Sequence, residues 1–283
     1  VVSAVTITEP GVYDIPEDEY HADPVPGGSL SASGAKKLLA CPARFDYDRR
    51  HPPAPSTSME LGTAVHKLVL GKGAEIVTVD ADSWRKKADQ ETAKAARAAG
   101  HVPLLVNERL EAQAMADAVL AHPDAARLFT GGKAEQSLFW QDDEFGIWRR
   151  ARLDWLPDSQ PRQRMIIPDL KTCKPGGAAP REIPRAVASY DYHIQAATYT
   201  DAIEALGLAA DPAFVFVFVE TAPPYLITIA QLDNESMDEG WAVARAACER
   251  YRDCMKAGIW PGYAQDIVPI SLPRWAYRDL ESL

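Results

Sequence analysis

The chain has 283 residues, 47% of them hydrophobic and 25% charged, the balance of an ordinary globular protein able to bury a large core. Its longest apolar runs, such as residues 214–219, fall far short of a bilayer span. Residues 1–20 lack the basic start and apolar stretch of a secretory signal, so the expectation is a cytoplasmic protein with no membrane partner. The formal net charge of −10 weighs against nucleic acid. The basic residues are clustered, however, at Lys36 and Lys37, between Arg44 and Arg50, from Arg85 to Lys87, and at Arg149, Arg150 and Arg152, and a polarised surface reconciles the two. The four cysteines (Cys41, Cys173, Cys248 and Cys254) form no CxxC pair and read as buried free thiols.

Residues 1–26 are rich in proline and acid and read as a surface wrap. Ser31 to Gly34 lead, with a serine cap, into a short helix over 35–40 that ends where Cys41 precedes Pro42. Prolines between 52 and 55 mark a loop. Residues 59–70 read as a helix with Leu61, Val65, Leu68 and Val69 on one side, and further helices are expected over 82–99 and 107–120, closed by Gly131 and Gly132. The pattern then changes to a β-hairpin over 134–140 and 147–156, a turn, and a strand over 165–171. A helix over 189–206, strands over 214–220 and 225–230, and a long helix over 234–258 complete the chain. This order predicts one α/β domain spanning 1–283, with a mixed central sheet flanked by helices. Residues 1–58 form its wrap and short helix, 59–133 a helical part and 134–283 the α/β core.

One acidic-x-Lys triplet, Asp169-Leu170-Lys171, is no more than chance supplies among 40 acidic residues. Its setting matters more. Along a strand Asp169 and Lys171 share a face, as do Arg150, Arg152 and Asp154 on the strand before. If the two strands are antiparallel neighbours, Asp154 approaches Asp169. Two close carboxylates repel unless a cation lies between them, and hard oxygen ligands favour Mg²⁺ or Mn²⁺. Lys171 could then orient or deprotonate a water and stabilise charge developing on a phosphate. Taken alone, the three read equally as solvated strand-end groups. Gln195 and Tyr199, at i and i+4, share a helix face and could bond a phosphate or position a DNA strand. His66 and Glu135 by themselves read as ordinary residues of a helix and a strand.

In order, Leu30-Ser31-Ala32-Ser33, Cys41-Pro42-Ala43-Arg44-Phe45, Leu61-Gly62-Thr63-Ala64-Val65-His66, Ala134-Glu135, Ala151-Arg152-Leu153-Asp154-Trp155, Ile166 through Thr172, Tyr192-His193-Ile194-Gln195 and Pro261-Gly262-Tyr263 resemble the PD-(D/E)xK nuclease superfamily. Its phage-type exonucleases, akin to exonuclease VIII (RecE), the RecB nuclease domain and lambda exonuclease, are the nearest in pattern. The resemblance runs from about residue 20 to 280 and implies a restriction-endonuclease-like core. It assigns Asp154, Asp169 and the Leu170 carbonyl to a metal, with His66 helping and Glu135 supporting a second metal or its waters. Lys171 would act on the attacking water, and Gln195 and Tyr199, with Arg150 and Arg152, would contact DNA. Two features depart from the pattern: Pro168 just before Asp169, and the Gly/Pro-rich run 172–177. Relatives with an iron–sulfur cluster carry three cysteines near the C-terminus. Here Cys41 fits the first position but no cysteine follows Pro261, so no cluster is expected.

The resemblance implies a Mg²⁺-dependent 5′→3′ exodeoxyribonuclease on double-stranded ends in phage or prophage recombination. It further implies a homo-oligomer, working with a single-strand annealing protein. A single-strand exonuclease or flap endonuclease of the same superfamily is an alternative, and a catalytically inactive DNA-binding protein is another.

Overall fold

A computed structural model of the protein describes residues 5–51, 59–159, 163–264 and 266–277. In chain order the elements are β1 (Gly11–Tyr13), α1 (Glu17–His21), β2 (Leu30–Ser31), α2 (Ala32–Ala40), α3 (Pro42–Arg50), α4 (Glu60–Leu70), β3 (Ile76–Val79), α5 (Lys87–Ala98), β4 (Val102–Leu105), α6 (Val106–Ala121) and α7 (Pro123–Leu128). Then come β5 (Gly132–Asp142), β6 (Ile147–Pro157), β7 (Ile166–Cys173), α8 (Ile183–Ser189), α9 (Tyr192–Ala205), β8 (Ala213–Glu220), β9 (Ile227–Ala230) and α10 (Asn234–Ala257).

Local chemistry sets the boundaries that matter. Ser31 caps α2, its Oγ accepting from the Gly34 N–H at 3.1 Å, which satisfies one of the donors a helix start leaves open. Cys41 is extended at φ −168°, as a residue before proline prefers. Pro42 then opens α3 at a position where its missing N–H costs nothing. The helix expected over 189–206 is α9, which starts at Tyr192 after Asp191 takes φ 50°; the short α8 before it was not expected. In the part read as helical, β3 and β4 pair in parallel; at four residues each they are too short to stand out by periodicity. The loop expected between prolines 52 and 55 lies outside the described residues.

The sheet β7-β8-β9 is mixed, with β7 parallel and β9 antiparallel to β8, and β8 is buried along its whole length. Val217 and Val219 pack with Leu170 against Val65, Met115 and Val119 of α4 and α6. Phe214, Phe216 and Phe218 pack with Ile167 against Ala196 and Ile203 of α9. Alternation along the strands therefore sends successive side chains into two helical layers. Each phenylalanine so buried contributes about 1.5–3 kcal/mol. Pro168 fits because β7 is an edge strand of its sheet.

A second sheet, β1-β5-β6-β2, carries the hairpin. Its N-terminal strap packs Ile7, Ile15, Tyr20 and Val25 on Phe139. Strands β6 and β7 lie side by side but belong to different sheets, so they are not the laddered antiparallel neighbours that the sequence reading considered. What joins them is a side chain.

Candidate active site

That side chain is Asp154. Its Oδ2 accepts from the Leu170 N–H at 2.7 Å, replacing a ladder bond between β6 and β7. A residue in a strand points its N–H and C=O to the same side, so the Leu170 carbonyl also faces this gap. His66, on α4, places Nδ1 3.6 Å from Asp154 Oδ2. Glu135, at the β5 position opposite Asp154, completes a group: His66, Glu135 and Asp154 each offer a ligand atom, and these lie within 4.8 Å of one another. Glu135 sits at φ 53°, a left-handed conformation that costs a non-glycine residue about 1–2 kcal/mol. Such strain gathers where surroundings hold a side chain in a working position.

Asp169 shares the β7 face that looks towards α9. It is 2% exposed. Its Oδ1 accepts from Gln195 Nε2 at 2.6 Å. Its Oδ2 lies 2.5 Å from Lys171 Nζ, yet accepts no hydrogen bond of acceptable angle among the described residues. Lys171 Nζ also stands 4.8 Å from the centre of the Tyr192 ring, a cation–π contact.

The protonation equilibria reflect this crowding. Burial, with Asp169 adding to it, pushes the Asp154 carboxyl up to about 7. Burial and Asp154 also raise Glu135, against the pull of Arg152. Burial opposes the charge of Lys171, but Asp169 and Asp154 outweigh it and its pKa is raised. Burial, then Lys171, lowers that of His66, leaving a neutral imidazole suited to a metal. Tyr199 is driven well above the ordinary phenol value, by burial first and by Tyr20 and the two aspartates. A surplus of buried negative charge and one neutral imidazole fit a divalent cation held by His66, Glu135 and Asp154. Asp169 is not one of the three residues whose ligand atoms meet, and it keeps one oxygen without a hydrogen bond.

The remaining expected residues lie nearby in different states. Gln195 is spent on Asp169. Arg150 donates to Ser29 O at 2.7 Å and Ser29 Oγ at 2.8 Å and pairs with Asp23 at 2.6 Å. Arg152 donates to Glu135 Oε2 at 2.8 Å, Ile15 O at 3.0 Å and Ser137 Oγ at 2.7 Å. Both guanidiniums also stand over the Tyr20 ring, so they tie the strap and Glu135 in place. The structure adds Lys36, whose Nζ lies 5.5 Å from the Tyr192 ring centre. Its only sequence signal was membership of a basic pair.

A family model for a PDDEXK-like domain of unknown function (DUF3799) matches residues 31–270. The chain belongs to this family. The PD-(D/E)xK resemblance and the restriction-endonuclease-like core both hold in this DUF3799 domain. A crystal structure from Eubacterium rectale, of a protein provisionally described as an exonuclease, matches with a TM-score of 0.58 and 14% identity over 90% of this chain and 93% of that one. That likeness is one of fold. A phage-related exonuclease from Haemophilus somnus 129PT matches 82% of this chain and 96% of its own at 15% identity, with a TM-score of 0.34, too low to bear on the fold. No curated protein matches. Among the described residues no helix is long and apolar enough to cross a membrane.

Proposed function

We propose that this DUF3799 protein is a divalent-cation-dependent deoxyribonuclease, a 5′→3′ exonuclease on double-stranded DNA ends of a phage-type recombination system. The observation that carries the reading is the meeting of His66, Glu135 and Asp154, whose ligand atoms lie within 4.8 Å of one another, next to the buried Asp169–Lys171 pair on β7. Mg²⁺ or Mn²⁺ held there would supply Lewis-acid stabilisation of the charge that builds on a phosphate under attack.

The chain's own groups do the positioning. Gln195 fixes Asp169 through Oδ1, and the Leu170 N–H fixes Asp154 through Oδ2. Lys171, protonated at neutral pH by its two carboxylate neighbours, acts as a donor and not as a base. Its ammonium holds the attacking water or a phosphate oxygen. Water adds to phosphorus, the P–O3′ bond breaks, and the products are a 5′-phosphate and a 3′-hydroxyl. Arg152 steadies Glu135. Tyr199, kept neutral, lines the α9 side as a hydroxyl donor towards the strand. A homo-oligomer and pairing with a single-strand annealing protein belong to this reading, and so does a cytoplasmic location.

The test is incubation of linear double-stranded, closed circular double-stranded and single-stranded DNA, each with the protein and Mg²⁺ or Mn²⁺, beside Lys171→Ala. Loss of linear DNA alone, absent in the variant, is expected. Cutting of circles would replace the exonuclease with an endonuclease. Loss of single-stranded DNA alone would move the substrate class, and intact DNA in every lane would leave an inactive binding protein.

A further inference from the structure

Beside the carboxylates lies a second group of side chains that the hydrolytic reading does not use. Tyr190, in the break between α8 and α9, stacks on Tyr192 with ring centres 5.4 Å apart and planes at 25°. Tyr190 is 63% exposed, so with one face on Tyr192 its other face is open. Lys36 reaches the same place from α2, donating to the Tyr190 carbonyl at 2.5 Å. Two ammoniums, those of Lys36 and Lys171, stand over the Tyr192 ring. They differ in one respect. Lys171 is paired with Asp169, whereas no carboxylate pairs with Lys36 among the described residues. Burial first, and then repulsion by Lys171, pushes the Lys36 pKa down to about 8. A half-buried cation without a counter-anion is costly to keep, and an arriving anion removes that cost.

We propose that Lys36, Tyr190 and Tyr192 form a nucleotide ledge that holds the DNA strand next to the scissile phosphate, with Tyr190 stacking on a base and Lys36 bonding the neighbouring phosphate. The proposal rests on the nuclease reading and deepens it by naming the contact that seats the strand. A π-face and a cation side by side suit one nucleotide whatever its base, because every base can stack and every nucleotide carries a phosphate. The αL conformation of Asp191, φ 50°, turns the chain so that residues 190 and 192 present their rings together. The ledge therefore predicts affinity without sequence preference.

The experiment measures binding of a fluorescent single-stranded oligonucleotide in Ca²⁺, and cleavage of the same strand in Mg²⁺ or Mn²⁺, with Tyr190→Ala, Tyr190→Trp, Lys36→Ala and Lys36→Arg. Tyr190→Ala is expected to weaken binding about tenfold, with Tyr190→Trp restoring it. That loss should vanish on a strand carrying abasic residues at its end. Lys36→Ala should raise KM more than it lowers kcat and reduce the slope of log K against log salt by about 0.7, and Lys36→Arg should restore both. Thermal melts of the Tyr190 variants should match wild type, since Tyr190 is exposed. Equal losses on intact and abasic strands, or an unchanged salt slope, would overturn the ledge while leaving the nuclease. Wild-type protein that neither binds nor cleaves DNA would overturn both.

Discussion

Strands β6 and β7 run beside each other through the same region, and each carries buried charge, but they treat it differently. On β6 the guanidiniums of Arg150 and Arg152 make their bonds to the scaffold, to the strap, to β5 and to the turn before β2, and Arg150 Nε keeps no partner among the described residues. On β7 Asp169 is more deeply buried and keeps an oxygen without a hydrogen bond. Burial of charge is costly on both strands: the β6 guanidiniums are offset by the scaffold, whereas Asp169 is offset within the site, by Lys171 and Gln195. The contrast separates scaffold from site better than residue type does, since arginines near a nuclease centre look at first like DNA contacts. Charge set against the scaffold holds the fold. Charge set against a neighbour within the site stays within reach of a ligand.

The sharpest way to break this comparison is to remove the β7 charges. Asp169→Asn and Lys171→Ala should each lower cleavage of linear DNA at least 10³-fold, about 4 kcal/mol of barrier. The melting temperature should change little for Asp169→Asn, because the lost pairing with Lys171 is offset by relief of a carboxylate crowded against Asp154. A marked drop in stability for Asp169→Asn would mean that its charge serves the fold, as those of β6 do.

The β6 counterpart should behave in the opposite sense. Arg152→Ala leaves Glu135 buried beside Asp154 without its partner, and the loss is about 3 kcal/mol of stability, a fall in melting temperature of roughly 6–12 °C. If the variant instead melts like wild type and only KM rises, Arg152 is a DNA contact and the comparison fails.

Cation and pH test the site between the two strands. In the cation-free protein the Asp154 carboxyl keeps its proton up to about 7, because of burial and then Asp169, while in the unfolded chain it ionises near 4. Between those values the unfolded state binds fewer protons, so stability falls as pH rises through the window. Bound cation requires the ionised carboxylate, so its stabilisation should grow over the same range. At 100-fold over Kd it should reach about 2.7 kcal/mol. Melting curves at pH 5, 6, 7 and 8, with and without Mn²⁺ or Mg²⁺, would show both trends, and Asp154→Asn should flatten them. Mn²⁺ should stabilise more than Mg²⁺, since an imidazole ligand suits it better. His66→Ala should shrink that difference.

Much of the fold was legible because its signals are strong and local: the hairpin, the apolar run of β8, the long α10 and the Ser31 cap. What escaped was set by contacts far along the chain or by single residues. The strands β3 and β4 depend on each other, and α8 and α9 separate at one positive φ. At the site, the order of motifs singled out the residues that meet, but not their bonds. Gln195 and the arginines read as DNA contacts because a side-chain amide or guanidinium in sequence carries no mark of its partner. That β6 and β7 would be joined by the Asp154 carboxylate rather than by their backbones was equally hidden. Lys36 and Tyr190 are 154 positions apart, and no spacing rule joins them.

The smallest effect concerns Glu135, which belongs to the charge of the site but stands on the scaffold hairpin. Its φ of 53° suits glycine, so the usual order of substitutions should invert here. In an ordinary strand glycine is less stable than alanine by about 0.5–1 kcal/mol. At position 135 Glu135→Gly should be more stable than Glu135→Ala by about 1 kcal/mol, measured by chemical denaturation without cation. Both variants remove the same carboxylate, so the difference isolates the backbone. Glycine ahead of alanine, with both variants losing part of the cation-dependent stabilisation, means that the hairpin spends backbone energy to aim a ligand at Asp154. Alanine equal to or ahead of glycine would remove the strain, and Glu135 would then be one more satisfied partner of Arg152.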